Sequence, residues 1–257
     1  MASTAIGGTG TDREPVPAWA RFMLWIHANL IFEAKGSPRI KVATAVNLHK
    51  IFTVFIIFGM MRATDNFSDA AWVYLALHGC YGYCWLIKDL GFRDHQLDRT
   101  TAWWGAVNMY VMLVAWYWLI PWLFLSRHVD PSGPLLAAGI APHTLGVVTM
   151  IAADGQRHFT LKYRSGLFTG GLYAYTRNPN YLGEIMIYSA YALLAQHWIA
   201  WAIVIYATVS TFLPRMYQKD HAISRHPGWA DYKARTGLLI PWGLLNGRAL
   251  ADRLRKS

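Results

Sequence analysis

The polar run with the best claim to chemistry is TRNPNYLGE, residues 176–184, embedded in apolar sequence. Asn178–Pro179 interrupts any helix, because the proline ring holds the preceding residue in extended backbone. Asn180 then falls where an N-cap would sit, and Glu184 follows one turn along the emerging helix. As a simple helix start, Asn180 would cap and Glu184 would answer the helix dipole. That accounts for Asn180 but poorly for Glu184, since apolar residues follow it and a carboxylate carried into a membrane is costly. An ionisable group so placed marks function by default, so Asn180 and Glu184 form the core of the candidate site.

Basic residues converge on the same stretch. Arg157, Lys162, Arg164 and Arg177 precede an apolar hairpin, and Arg215 and Lys219 follow it. Because a hairpin returns the chain to the surface it left, the two sets face each other. Contact with lipid headgroups is the plain explanation. Against it stand the interleaved partners Asp154, Gln156, His158, Tyr163, Tyr173, Tyr175, Asp220 and Tyr232. Cations mixed with donors, acceptors and stackable rings suit a nucleotide with phosphates, ribose and base. Gly166, Gly170 and Gly171 allow close backbone approach, but the GxGxxG spacing is absent.

The elements that position these residues are apolar. Of 257 residues, 54% are hydrophobic and only 15% charged, far less charge than a soluble domain carries. Thirteen Trp and fourteen Tyr suit a chain with two membrane–water boundaries. Six stretches approach the length needed to cross a layer of about 30 Å: 44–61, 69–87, 102–126, 135–153, 181–196 and 198–214. The last two are joined only by His197, which predicts a tight hairpin. Trp19, Phe22, Met23, Ile26 and Leu30 recur at three- and four-residue steps, predicting an interfacial amphipathic helix, with a seventh span as the alternative. The fold expected is all-α and polytopic.

Charge placement supports that topology. With six spans, 21 of the 24 Lys and Arg residues share one side, together with both termini. That side should be cytosolic or organelle-internal, in the endoplasmic reticulum, another organelle or a bacterial inner membrane. The net charge of +10 then argues for anionic headgroups or a phosphate-bearing cofactor, not nucleic acid. Residues 1–18 are small, polar and turn-rich, expected to be flexible, and lack a hydrophobic signal-peptide core.

Polar residues within the spans offer further candidates. His78 and Tyr81 share a face of the second span and are the best available proton donors, though core hydrogen bonding explains them equally well. Lys50, at the mouth of the first span, has a stem long enough to snorkel outward, and His49 is expected to be a satisfied helix histidine. His143 has no evident partner. The aromatic third span (Trp103, Trp104, Tyr110, Trp116, Tyr117, Trp118, Trp122) reads as lipid-facing packing. Cys80 and Cys84, four apart on one helical face, suit packing and not a disulfide.

GGLYAYTRNPNYLGE, a short hairpin, Arg215, Tyr232 and the LIP of residues 239–241 resemble the C-terminal half of the steroid 5α-reductases. The same segment is similar to the sterol Δ14-reductases, and its architecture to isoprenylcysteine carboxyl and phospholipid methyltransferases. The resemblance runs over residues 141 to 242. Asn180, Leu182, Gly183 and Glu184 match the reductase Asn-x-Leu-Gly-Glu, implying that Asn180 and Glu184 hold the nicotinamide end of NADPH. Asp154, Tyr163 and Arg164 match the reductase pattern before the Gly-Gly turn, implying contacts to adenosine and phosphate. The methyltransferases place a Glu pair where this chain has Lys219, Asp220 and His221. Steroid 5α-reductases also carry an early Gln-Glu pair that polarises a 3-keto group. No such pair occurs in the first 150 residues, which argues against a 3-oxo-steroid.

The chain is accordingly expected to divide into a flexible N-terminus (1–18), an interfacial helix and linker (19–43), substrate-side spans (44–140), a reductase-like cofactor domain (141–242) and a basic tail (243–257). The resemblance implies an NADPH-dependent reductase of a C=C bond in a lipophilic, sterol- or isoprenoid-like substrate. Catalytic candidates are Tyr81, His78 and Glu184. Cofactor candidates are Asp154, Tyr163, Arg164, Tyr175, Arg177, Asn180, Glu184, Arg215, Lys219, Asp220 and Tyr232. Two alternatives stand beside it: an S-adenosylmethionine-dependent lipid or isoprenylcysteine methyltransferase, and a non-catalytic subunit of a larger membrane complex.

Overall fold

Helix α2 (Val42–Ala63) shows how this sequence builds a membrane helix. His49, Thr53, Ile57 and Met61 repeat every four residues and are buried, while Leu48, Ile51, Phe52, Phe55 and Phe58 lie exposed on the outer face. Large apolar groups outward and polar groups inward is the pattern that lipid, not water, selects. A computed structural model describes residues 13–242, and among them this pattern recurs. Ile87 and Leu90 of α3 (Asp69–Phe92) are bare, whereas its His78 and Tyr81 are buried.

The order is α1 (Ala18–His27), β1 (Arg39–Lys41), α2, α3, β2 (Thr100–Ala102), α4 (Trp103–Met109), α5 (Trp116–Ser126), α6 (Gly133–Tyr163), α7 (Pro179–Ala195), α8 (Trp198–Ala207), α9 (Leu213–Ile223) and α10 (Trp229–Arg235). Wider π turns join α4 to α5 (Tyr110–Val114) and α8 to α9 (Thr208–Phe212), and a third extends α1 (Ala28–Phe32). The two strands pair antiparallel, Ile40 opposite Thr101, and tie the segment before α2 to the one before α4.

Among the described residues, three helices are long and apolar enough to cross a membrane: Val42–Ala63, Gly133–Tyr163 and the run Trp198–Ile223. The pair Trp103–Val114 and Trp116–Ser126, bent by 48°, makes a fourth if it is counted as one span. The six expected stretches are therefore all helical, but three to four meet the requirements of a span. Helix α7 has 17 residues and is short for a crossing, while α3 has 24 but carries His78, Lys88 and Asp89. Helix α1 has ten residues, too few for the alternative seventh span. Helix α6 also outruns its expected end at 153, so the Asp154–Tyr163 stretch, expected to be loop, is its last part.

Helices α6 and α7 run antiparallel with their backbones in contact. A methyl group added at Gly183 would lie 2.5 Å from the Gly146 carbonyl oxygen, and one added at Gly146 would lie 2.6 Å from that of Gly183. Gly139, one heptad before Gly146, receives Leu194 in the same way, and buried Ala153 follows one heptad after. A stripe of small residues substitutes for the hydrophobic drive that lipid cannot supply between helices. At the turn into α8, Gln196 adopts the left-handed conformation (φ 48°), and His197 Nδ1 accepts the Ile199 N–H at 3.2 Å. Arg127 covers the carbonyls that end α7, donating to Ala195 O at 3.1 Å.

Residues 1–12 of the segment expected to be flexible, and the basic tail 243–257, lie outside the described residues. Glu14 is tied to the far end of the chain. It accepts from Trp229 Nε1 (3.1 Å) and Lys233 Nζ (2.7 Å), and its N–H donates to Ser224 Oγ (3.1 Å). The Lys233 bond is the largest of the effects that hold the Glu14 carboxyl below its ordinary value, with Trp229 next. A carboxyl with a lowered folded-state pKa stabilises above the usual carboxylate range and loses that effect as pH falls through the lowered value. Denaturant unfolding of the wild type and Glu14→Gln, compared at several pH values, should show a gap at neutral pH that closes on acidification. At the helix contact, Gly183→Leu should cost at least about 1–3 kcal/mol through overpacking. Gly59→Ala, where an added methyl meets nothing within 4 Å, should be neutral or stabilising in the same thermal melts.

Candidate active site

Pro179 divides the TRNPNYLGE run into two halves with different duties. Before it, Thr176, Arg177 and Asn178 are buried and clasp the segment after α10. Thr176 Oγ1 donates to Leu239 O (2.8 Å), Arg177 N–H to Gly237 O (3.0 Å) and Asn178 Nδ2 to Leu238 O (2.7 Å). The Arg177 guanidinium pairs with Asp220 at 2.9 Å and donates to Thr236 O at 2.5 Å. Tyr232 donates to Tyr173 O at 2.9 Å, and the Lys219 ammonium donates to Arg177 O. Upstream, Gly171 takes φ +56° directly against the Gln156 amide, leaving no room for a side chain there. Gln156 Oε1 accepts the Leu172 N–H at 3.1 Å, so the Gly-Gly turn is seated on α6.

After Pro179, the first turns of α7 face a cavity of about 690 Å³. Asn180, Tyr181, Glu184 and Tyr188 form one wall, α6 gives Asp154 and Arg157, and α9 gives Arg215 and Lys219. Opposite stand Lys50 of α2 and Tyr81, Trp85 and Lys88 of α3, with Arg99 and Tyr117 from the segments that follow. The side chains of Asn180 and Glu184 make no hydrogen bond or ion pair with any described residue, and neither does Arg157. Six cations (Lys50, Lys88, Arg99, Arg157, Arg215, Lys219) meet three acids (Asp94, Asp154, Glu184) on this wall, an excess that favours an anionic ligand. A second cavity of about 510 Å³ shares Lys88, Asp94, Asp154 and Arg157 with the first and adds Arg93, His95, His158 and Lys162. The two together form a long, basic, partly enclosed path.

The structure thus brings Tyr81, Asp154, Asn180, Glu184, Arg215 and Lys219 together, but not the rest of the expected set. Arg177, Asp220 and Tyr232 are consumed in the clasp, because a buried charge must be paired where it lies. Tyr163 ends α6 largely exposed, Arg164 caps that helix beside it, and Tyr175 follows the Gly-Gly turn; none lines this cavity. His78 is stacked on Tyr191 at 4.0 Å, away from the cavity wall, as a core histidine. His143 does have a partner, Tyr191 Oη at 3.0 Å from its Nε2. His49, as expected, is satisfied, its Nδ1 3.1 Å from Tyr110 Oη.

Several wall residues were not foreseen. Lys50 turns into the cavity instead of snorkelling outward, and Lys88 pairs with Asp154 at 2.6 Å. A lysine inside an apolar stretch was the signal for Lys50, whereas Lys88 directly follows the stretch 69–87. Tyr117 and Tyr188 stack at 4.1 Å, and Tyr188 Oη lies 2.9 Å from Tyr81 Oη. No spacing rule separates these tyrosines from lipid-facing aromatics, so the third span is only in part the outward packing expected of it.

Fold and cavity define a helical membrane protein with a basic cavity lined by polar and apolar residues from both halves of the chain. Residues 135–244 match the family described as 3-oxo-5-alpha-steroid 4-dehydrogenase, over the C-terminal segment that carries the NPNYLGE resemblance. No curated protein matches the chain.

The two halves of the motif should respond differently to mutation. Asp220→Ala strands the Arg177 guanidinium and should cost about 3–5 kcal/mol in unfolding measured in detergent. Asn180→Ala should leave the same transition within about 0.5 kcal/mol of the wild type.

Proposed function

We propose that the chain is an NADPH-dependent membrane reductase that saturates a C=C bond in a lipophilic, sterol- or isoprenoid-like substrate. The reading rests above all on Asn180 and Glu184, an uncommitted carboxamide and carboxylate one turn apart on the cavity wall. A nicotinamide amide carries both a donor and an acceptor, and these two side chains offer the complementary pair. Arg157, Arg215 and Arg99 supply the surplus positive charge that a nucleotide's phosphates need, and the second cavity offers length for its adenosine end.

When bound, the reduced nicotinamide supplies the hydride. The protein's own part is to hold, orient and protonate. Tyr81 keeps a proton at Oη beside the cavity, oriented by Tyr188, whose ring is braced by Tyr117. Delivery of that proton to the substrate carbon next to the one receiving hydride completes the addition of two hydrogens. The apolar wall of Met112, Leu113, Val114 and Ile203 keeps water away from the exchange.

Titration of the purified protein with NADPH tests the reading. Asn180→Ala and Glu184→Gln should each weaken binding about tenfold or more, that is, by about 1.4 kcal/mol. Tyr81→Phe should bind NADPH normally yet slow reduction of a conjugated lipid enone by about 10²–10⁴. Saturable binding of S-adenosylmethionine with none of NADPH would replace the reductase reading with the methyltransferase one.

A further inference from the structure

We propose that the Lys50 ammonium anchors the oxygen end of the lipophilic substrate, a carbonyl or carboxylate carried on a hydrocarbon body. The inference rests on the reductase reading for the identity of the site, but its geometry is independent of the nucleotide.

Lys50 is placed by the packing of α2 on α3. A methyl group at Gly82 would lie 3.0 Å from the Lys50 carbonyl oxygen, and one at Gly79 would lie 2.7 Å from Val54. The two helices therefore touch beside Lys50. Its side chain runs along α3, with Nζ 4.1 Å from the Tyr81 ring centre and 5.4 Å from that of Trp85. Those aromatic faces are its partners, for the ammonium makes no hydrogen bond or ion pair with any described residue. Lys88 provides the contrast. It also approaches Trp85, at 4.4 Å, but is neutralised by Asp154. The charged groups that act on Lys50 are Glu184 and Lys88, of opposite sign.

An ammonium held over rings gains about 0.5–2 kcal/mol, less than the cost of withdrawing it from water with its three N–H donors unused. A ligand oxygen completes that shell. The position also suits a lipid, because Val46, Met112, Leu113, Val114, Ile203 and Ala207 line the same cavity. An oxygen on Lys50 and a hydrocarbon body along these residues would leave the neighbouring carbons near Tyr81. A full positive charge, where a neutral donor would suffice for an alcohol, selects an oxygen that bears negative charge or gains it when a conjugated bond is reduced.

The test uses the full chain in detergent without nucleotide and follows tryptophan fluorescence, since Trp85 lies at the site. Three probes of equal chain length separate the possibilities: an α,β-unsaturated ketone, a fatty carboxylate and the matching alkene. The wild type should bind at least one oxygenated probe about tenfold more tightly than the alkene, and which one identifies the oxygen. Lys50→Met should abolish that preference and leave alkene binding unchanged, while Lys50→Arg keeps it. If Lys50→Met does not fold, as judged by its melting curve, Lys50→Gln takes its place and should lose the same preference. Equal binding of oxygenated and plain probes by the wild type, or an undiminished preference in the Met or Gln variant, would overturn the proposal. NADPH titration of the same preparations separates the two inferences. A Lys50-dependent preference without NADPH binding sinks the reductase reading alone, and NADPH binding without the preference sinks the anchor alone.

Discussion

Backbone contact between α6 and α7 at Gly146 and Gly183 is the constraint on which the pocket depends. Glu184 is the next residue after one of these glycines, and Asp154 lies two turns beyond the other. Closing the helices on each other therefore fixes two of the cavity's acids, Asp154 and Glu184, relative to each other. Lipid gives helices no hydrophobic reason to associate, so the energy comes from van der Waals contact over the small-residue stripe. Any side chain at that point would wedge the two walls apart.

A second dependence runs through the clasp of Thr176, Arg177 and Asn178 on the chain after α10. It anchors the residue before Pro179, so α7 starts from a fixed point and aims its first turn into the cavity. Burying the Arg177–Asp220 pair is no bargain in itself, since desolvation offsets most of the attraction. Its value is positional: Asp220 of α9 holds the guanidinium where it also reaches Thr236 O, ahead of the segment that the clasp docks.

Much of this was legible in the sequence because it follows from periodicity and from the cost of charge in lipid. The apolar stretches, the tight turn at His197 and the pairing of Asn180 with Glu184 all rest on those two rules. The failures share a cause as well. Arg177, Asp220 and Tyr232 look like ligand-binding groups by type, and only the fold shows that the first two pair with each other and the third donates to Tyr173 O. Of the six expected spans, α7 and α3 are apolar enough to resemble crossings, yet one is short and the other carries His78, Lys88 and Asp89. The placement of Lys50 was not legible because a flexible stem permits either outward or inward placement, and the contact of α2 with α3 lies beside it.

All three π turns among the described residues put side chains on the cavity wall: Ala28 and Phe32 from the first, Met112, Leu113 and Val114 from the second, Thr211 and Phe212 from the third. Each holds one residue more than an α-helical turn would, so everything beyond it is rotated by about 100° about the axis. A helical wheel drawn through α4 and α5 as one rod therefore points Tyr117 the wrong way. It follows that these helices are phase-sensitive: losing a single residue at such a turn would swing the downstream face away from the cavity, although every remaining side chain is unaltered.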